Sequence, residues 1–175
     1  MHTIFQAEQW LPYPAEMVFA FFANPENLPR LMPAWQDARI EEAHFCPPPE
    51  HPGGFRYPAI AAGDGTRLTL SFRPFPGSPV RVSWEAGIAH FVWNEQFCDT
   101  QVRGPFHFWH HCHRVSPANG EGGAPGTWLR DEVEFELPLD PLSRLALPLV
   151  KRQMAAMFRF RQKRTTELLA LITPK

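Results

Sequence analysis

Cysteine is scarce and poorly placed for cross-linking. The 175-residue chain has three, Cys46, Cys98 and Cys112. They are widely spaced with no C-x-x-C pair, which argues against a disulfide framework and against a structural zinc site. An excess of one charge is also missing. Seventeen basic against 18 acidic residues leave a formal net charge of −1, without the basic surplus of a dedicated nucleic-acid binder. The longest apolar run, residues 17–23, falls far short of the ~20 residues that span a bilayer. Residues 1–8 lack the basic region and apolar stretch of a signal peptide. These absences predict a reduced, cytoplasmic, soluble protein with no nucleic-acid partner and no integral membrane segment. Motifs for nucleotide and acyl chemistry are absent too. There is no G-x-S-x-G elbow, and no cysteine stands in an activating context. The glycine-rich stretch 116–126 lacks the G-K-[ST] ending and following helix of a phosphate loop, and reads as a flexible hairpin tip.

What is present is proline, phenylalanine and a large apolar fraction. Twenty prolines bound many short elements, while 15 phenylalanines and six tryptophans within a 44% hydrophobic chain imply a large interior. The length fits one domain, residues 1–175. Residues 3–10 alternate as a first strand. Pro14 then opens a short helix over 15–23, and Asn24-Pro25 opens a second through Leu31. Strands are expected at 36–45, 65–73, 80–92, 95–102, 106–115 and 127–137, with a long proline-rich loop at 46–58. Asp140-Pro141 starts a helical region that Pro148 kinks or restarts, and 149–172, free of proline and glycine, is the longest element. Short connections pair consecutive strands as antiparallel hairpins. A sheet that large must curl, and the long helix is the object to fill its concave side.

On that helix, a 100° step puts Leu149, Val150, Met154, Met157, Phe160, Leu168, Leu171 and Ile172 in one arc. Lys151, Arg152, Arg159, Gln162, Lys163 and Thr166 form a basic opposite face, either solvated or able to dock an acidic partner. Gln153, Arg161 and Arg164 interrupt the apolar arc. An unpaired buried charge costs several kcal/mol, so the two arginines must reach an edge, a wet space or a carboxylate. Asp99 is one candidate carboxylate.

The densest chemistry is Gly104-Pro105-Phe106-His107-Phe108-Trp109-His110-His111-Cys112-His113-Arg114. As a strand it places His107, Trp109, His111 and His113 on one face and Phe106, Phe108, His110 and Cys112 on the other, and parity alone does not say which points inward. On the neighbouring strand Val133, Phe135 and Leu137 must face in, so Asp131 shares that inward parity. His111-x-His113 fits three chemistries. These are chelation of a transition metal with a third ligand from Asp99 or Asp131, polar lining of a cavity, and acid–base work beside Asp99 or Asp131. Structural histidine is the plain alternative. We expect no metal and no cofactor.

Three blocks carry a resemblance. They are Pro14-Ala15-Glu16-x-Val18-Phe19-x-Phe21-Phe22-Ala23-Asn24-Pro25-Glu26-Asn27-Leu28, then Phe97-x-Asp99-x-Gln101-x-x-Gly104-Pro105-Phe106-x-x-Trp109-x-His111-x-His113, and Gly126-Thr127 with Asp131-x-Val133-x-Phe135-x-Leu137-Pro138 and Phe158-x-x-Arg161. Together they resemble the START-like, helix-grip superfamily, in its bacterial ligand-binding or polyketide cyclase/dehydrase-like branch. The resemblance implies an α+β helix-grip fold, a curved antiparallel sheet of about seven strands around a long C-terminal helix, with two short helices after strand one. It also implies an internal cavity for a hydrophobic small molecule such as a lipid, isoprenoid or polyketide. We expect its wall to come from Trp84, Phe97, Trp109, Phe135, Met154 and Met157. Its polar contacts would come from Asp99, Gln101, His111, His113, Asp131, Gln153 and Arg161. Binding is the leading reading, and a cyclase or dehydratase using His111, His113, Asp99 or Asp131 is the alternative. The proline-rich loop at 46–58 departs from a compact family pattern at the cavity entrance.

Overall fold

The computed structural model describes residues 2–53, 60–139 and 142–172. Seven strands form one antiparallel sheet: β1 (Thr3–Leu11), β2 (Arg39–His44), β3 (Arg67–Phe72), β4 (Val82–Val92), β5 (Gln96–Arg103), β6 (Phe108–Asn119) and β7 (Pro125–Glu136). Their spatial order is β1-β7-β6-β5-β4-β3-β2. Hairpin neighbours therefore pair in sequence from β2 to β7, and only β1 is brought in from a distance, with Thr3 opposite Phe135 and Leu11 opposite Thr127. Helix α1 (Ala15–Ala23) and three 3-10 turns (Pro25–Asn27, Pro29–Leu31 and Ala34–Gln36) carry the chain from β1 to β2. Helix α2 (Leu147–Ile172) follows the sheet. The α+β helix-grip architecture is the one anticipated, with the second short helix resolved into 3-10 turns by its repeated prolines.

Element bounds differ from the expectation where proline misled. Pro117 and Pro125 lie inside β6 and β7, pairing with Thr127 and Asn119, so the glycine-rich stretch is mostly ladder. Its tip is the 3-10 turn Glu121–Gly123. Residues 36–38 belong to a turn rather than to the start of β2, with Asp37 in the left-handed region at φ 47°. Pro148 sits in the first turn of α2, after a separate 3-10 turn at Leu142–Leu145; the proposed Asp140-Pro141 cap lies outside the described residues. So does the later part of the proline-rich loop. Its earlier part is pinned by Trp93, whose Nε1 donates to the Pro49 carbonyl at 2.7 Å.

The inward face of α2 is rotated from the expected arc. Met154, Phe158, Thr165, Leu168 and Leu169 are buried, whereas Leu149 and Leu171 are 67% and 77% exposed. The buried seam advances 154, 158, 161, 165, 168, which puts Arg161 at its centre. Residues 149 and 171 lie near the helix ends, beyond the reach of the sheet, and there tertiary cover overrides periodicity. Two apolar cores result. One gathers Leu11, Val18, Phe19, Phe91, Phe97 and Leu168 under α1, and the other gathers Trp109, Val133, Phe135, Met154 and Phe158 under the first half of α2.

The cysteine expectation is corrected. Cys98 and Cys112 form a disulfide with Cα atoms 4.0 Å apart. The β5–β6 register sets them directly opposite one another, and a hairpin partner 14 positions away is invisible to any search for local cysteine spacing. The reduced-compartment reading, which rested on unpaired cysteines, loses that support. No helix among the described residues is long and apolar enough to cross a membrane.

Closing a loop of about 15 residues restricts the unfolded chain enough to contribute about 3 kcal/mol. The C98A/C112A double variant, compared with the oxidised protein by urea unfolding, is expected to lose about that much. Dithiothreitol added to the wild type should reproduce the loss, and equal midpoints for the two proteins would show the cross-link to be energetically idle.

Candidate functional site

Between the two cores lies a cavity of about 140 Å³. The α1 end and the following turns contribute Phe22, Leu28 and Leu31; β3 and β4 contribute Leu70, Trp84 and Ile88; β5 and β6 contribute Phe97, Asp99, Trp109, His111 and His113. From α2 come Met157, Phe158 and Arg161. Apolar lining dominates, with Asp99 and the two histidines converging from the sheet and Arg161 from α2, the few placed polar groups of a small-molecule site. Two of the polar lining residues are committed elsewhere. Asn24 Oδ1 accepts from the Glu26 amide, and Asn27 Nδ2 donates to the Phe21 carbonyl.

The inward parity left open by the sequence is that of Trp109, His111 and His113. Cross-strand pairing puts Asp99 opposite His111 and His113 opposite Asp131, so four ionisable side chains from β5, β6 and β7 meet on the concave face. His111 Nε2 donates to Asp131 Oδ1 at 3.0 Å, and its Nδ1 lies 3.1 Å from Asp99 Oδ2. His113 spans the same two carboxylates less well. Its Nδ1 is 2.7 Å from Asp131 Oδ1 but off the line of a hydrogen bond, and its Nε2 is 3.6 Å from Asp99 Oδ2. The imidazole centroids are 4.0 Å apart. Trp109 Nε1 adds a 3.2 Å hydrogen bond to Asp99 Oδ1. The side chains of His111, His113 and Asp131 are each 5% exposed, against 21% for Asp99. The cycle therefore meets the cavity mainly through Asp99.

Burial alone would raise the Asp99 carboxyl, but the charge of His111 and the close approach of both imidazoles outweigh it and hold the group far below the usual carboxylate range. Asp131 behaves alike, with burial opposed by the charge and close approach of His113, by the hydrogen bond from His111 and, more weakly, by Arg161. Burial depresses His111, yet the Asp99 charge and the Asp131 hydrogen bond raise it above the ordinary imidazole value. Burial also depresses His113, and the charge on His111 depresses it further, so it ends below the ordinary value. The arrangement is one imidazolium beside one neutral imidazole, bracketed by two carboxylates.

The family model described as "Polyketide cyclase / dehydrase and lipid transport" matches residues 11–159. The chain belongs to this family. Solved structures of low sequence identity share its START-like fold. A START superfamily protein from Mycobacterium smegmatis is 15% identical, with TM-score 0.63, over 99% of this chain and 100% of that one. The Zhui aromatase/cyclase from a Streptomyces species is 10% identical, with TM-score 0.67, over 97% and 94%. Norcoclaurine synthase from Thalictrum flavum, in complex with dopamine and hydroxybenzaldehyde, is 14% identical, with TM-score 0.63, over 100% and 90%. No curated protein matches the chain.

Within this family member, Trp84, Phe97, Asp99, Trp109, His111, His113, Met157 and Arg161 line the cavity. Asp131 sits behind the histidines. Phe135 and Met154 are core beneath Trp109 rather than wall. Gln101 is corrected to a clamp. It donates from Nε2 to the Phe106 carbonyl and accepts from the Phe106 amide, closing over Gly104, where a Cβ would collide with its amide. Gln153 is corrected to the outside, exposed and donating to the Pro74 carbonyl. The anticipated Asp99–arginine pair does not form. Asp99 is taken by His111, and Arg164 pairs with Glu167 at 2.5 Å. The sequence reading missed Phe22 and Phe158, and also the β3 wall. A helix-face analysis anchored on Arg161 would have found Phe158; nothing local marks Leu70. Ligand atoms of Asp99, His111 and His113 lie within 4.8 Å of one another, as do those of Cys98, His110 and Cys112 on the outer face. The first set is the one with which a divalent cation would compete for the imidazole proton.

Two expectations follow for the cycle. The histidines titrate as a coupled pair, with one macroscopic step above and one below about 6.5, readable from imidazole nitrogen shifts by NMR. A single shared midpoint for both rings would contradict the assignment. Carboxylates held low make the fold more stable above the ordinary carboxylate pKa and lose that contribution as pH falls below about 4. Asp131→Asn takes one of its two carboxylates from the His111 imidazolium and should cost about 1–3 kcal/mol, with a flatter acid limb in stability-against-pH curves.

Proposed function

We propose that the protein binds a compact hydrophobic molecule in the cavity between sheet and α2, with the polar end of that molecule turned toward Asp99 and the two histidines. One observation carries the reading. A buried cycle of two carboxylates and two imidazoles opens at one edge, through Asp99, into a space otherwise walled by aromatic and aliphatic side chains. Burying four ionisable groups in a core costs stability that apolar replacements would not, and groups so perturbed concentrate at functional sites. Family membership supports a ligand cavity of this type. A volume of about 140 Å³ suits one ring and a short substituent, since an apolar cavity of about 150 Å³ takes up benzene.

A second reading, acid–base catalysis on the bound molecule, is favoured by the split of the imidazoles. His111 is pushed up and His113 down, so a proton donor and a proton acceptor stand side by side near neutral pH. Catalysis would use the groups that binding uses.

Titration with benzyl alcohol, followed by the fluorescence of the protein's tryptophans, Trp84 and Trp109 among them, is expected to show saturable binding. Ala86→Phe, which fills the space beside Ile88, should abolish it. Binding undiminished in Ala86→Phe would locate the molecule elsewhere. For the second reading, turnover of a phenolic or β-keto compound should follow a bell-shaped pH profile. His113→Gln should remove the limb set by the base while benzyl alcohol binding persists.

A further inference from the structure

Three partly buried arginines occur among the described residues: Arg81, Arg161 and Arg164. Arg81 is held by Asp37 and Ser71, and Arg164 by Glu167. Arg161 has no such acceptor. Its Nε is fully buried without a hydrogen-bond partner, and no ion pair joins it to a described carboxylate. Asp131 feels its charge, but both histidines already occupy that carboxylate. The guanidinium is instead sandwiched by rings, its carbon 5.1 Å from the centroid of Phe22 and 5.8 Å from that of Phe158. Cation–π contact compensates a desolvated guanidinium only in part. The planar N–H fork is left without the bidentate acceptor it suits.

Position makes that deficit specific. Arg161 stands at the centre of the inward seam of α2 and lines the cavity together with Asp99, His111 and His113. Water or a surface carboxylate would satisfy an arginine at the rim, as Glu167 does for Arg164. Here the space beside the fork is the binding space itself. Among the described residues Arg161 is the one arginine of the lining, and no lysine contributes to it. The cycle's two carboxylates and one imidazolium already carry one net negative charge, so a singly charged acceptor is the smallest anionic load for Arg161, and a phosphate would add a further uncompensated charge. The volume restricts the rest of the molecule to about one ring.

We propose that the ligand is a compact monocarboxylate, an aromatic or similarly sized acid whose carboxylate is bound by Arg161 between Phe22 and Phe158 while its ring occupies the cavity. The inference rests on the cavity reading above and adds the charge of the ligand and the residue that selects it. Asp99 and the histidines then face a polar substituent at the far end of the ring, while the carboxylate faces Arg161. Arg161 is thus the specificity residue of the site.

The test uses the full chain with benzoate, benzamide and benzyl alcohol, similar in size and differing in charge, by calorimetry or ligand-detected NMR. Benzoate should bind the wild type about tenfold or more tightly than benzamide, the preference of a charge-assisted bidentate contact. In Arg161→Gln the ratio of benzoate to benzamide affinity should fall to about twofold or less. Arg161→Lys keeps the charge without the fork and should retain only part of the preference. It also serves if the glutamine variant does not fold, as judged by near-UV circular dichroism. Benzoate no tighter than benzamide, or a preference intact in Arg161→Gln, would overturn the proposal. In either case, benzyl alcohol binding that is still lost in Ala86→Phe would leave the cavity reading standing. Loss of all three probes from the wild type would remove both.

Discussion

Four ionisable side chains are shut into the apolar interior, and they are tolerable there only as a set. Each aspartate of the cycle is held by imidazoles, and each imidazole lies between aspartates. Removing His111 strands two carboxylates, and removing either aspartate takes an acceptor from both imidazoles, in a medium where such losses are expensive. The requirement acts on the backbone. Asp99, His111, His113 and Asp131 come together only if β5, β6 and β7 pair in the observed register, because a slip of one residue would send all of them to the outer face. The cross-link between Cys98 and Cys112 sits one position away along both strands, so the covalent bond and the polar cycle enforce the same alignment from opposite faces of the sheet.

Around that constraint the apolar structure divides. Phe22 and Phe97 stack against His113, while Trp109 and Phe158 close on His111. The cycle is thereby sealed from water on the flanks and left open toward the cavity. Helix α2 joins both cores, Met154 and Phe158 reaching one and Leu168 and Leu169 the other. Arg161 falls at the changeover. One helix thus anchors the fold at both ends and delivers a cation to its middle.

The resulting site has a stated polarity. Carboxylates and imidazoles line one wall, a single guanidinium stands on the helix, and hydrocarbon fills the intervening space. The two imidazoles of that wall differ, His111 raised by the aspartates and His113 lowered by burial and by the charge of His111. The guanidinium stands across the space from that wall, between Phe22 and Phe158. Binding and acid–base chemistry share this geometry, and the family to which the chain belongs is named for both cyclisation or dehydration and lipid transport.

Much was legible in the chain itself. Alternation marked the strands, Asn-Pro and first-turn prolines marked the short helical turns, and the parity of Val133, Phe135 and Leu137 carried Asp131 inside with them. Those are local properties, set by side-chain period and backbone stereochemistry, and they need no partner to be read. What depended on a partner was decided only by the tertiary structure. The inward face of β6 was undetermined until Asp99 and Asp131 stood beside it. Cys98 met Cys112 only through the hairpin register. Gln101 and Gln153 shared a parity or an arc with the site, yet one closes a turn and the other faces solvent. Leu149 and Leu171 fit the helical period but lie beyond the sheet that would have covered them. Arg161 appeared in the sequence as a charge spoiling an apolar stripe. The fold put it between two rings at the edge of a cavity with no acceptor, because burial and pairing belong to the space between elements and not to any one of them.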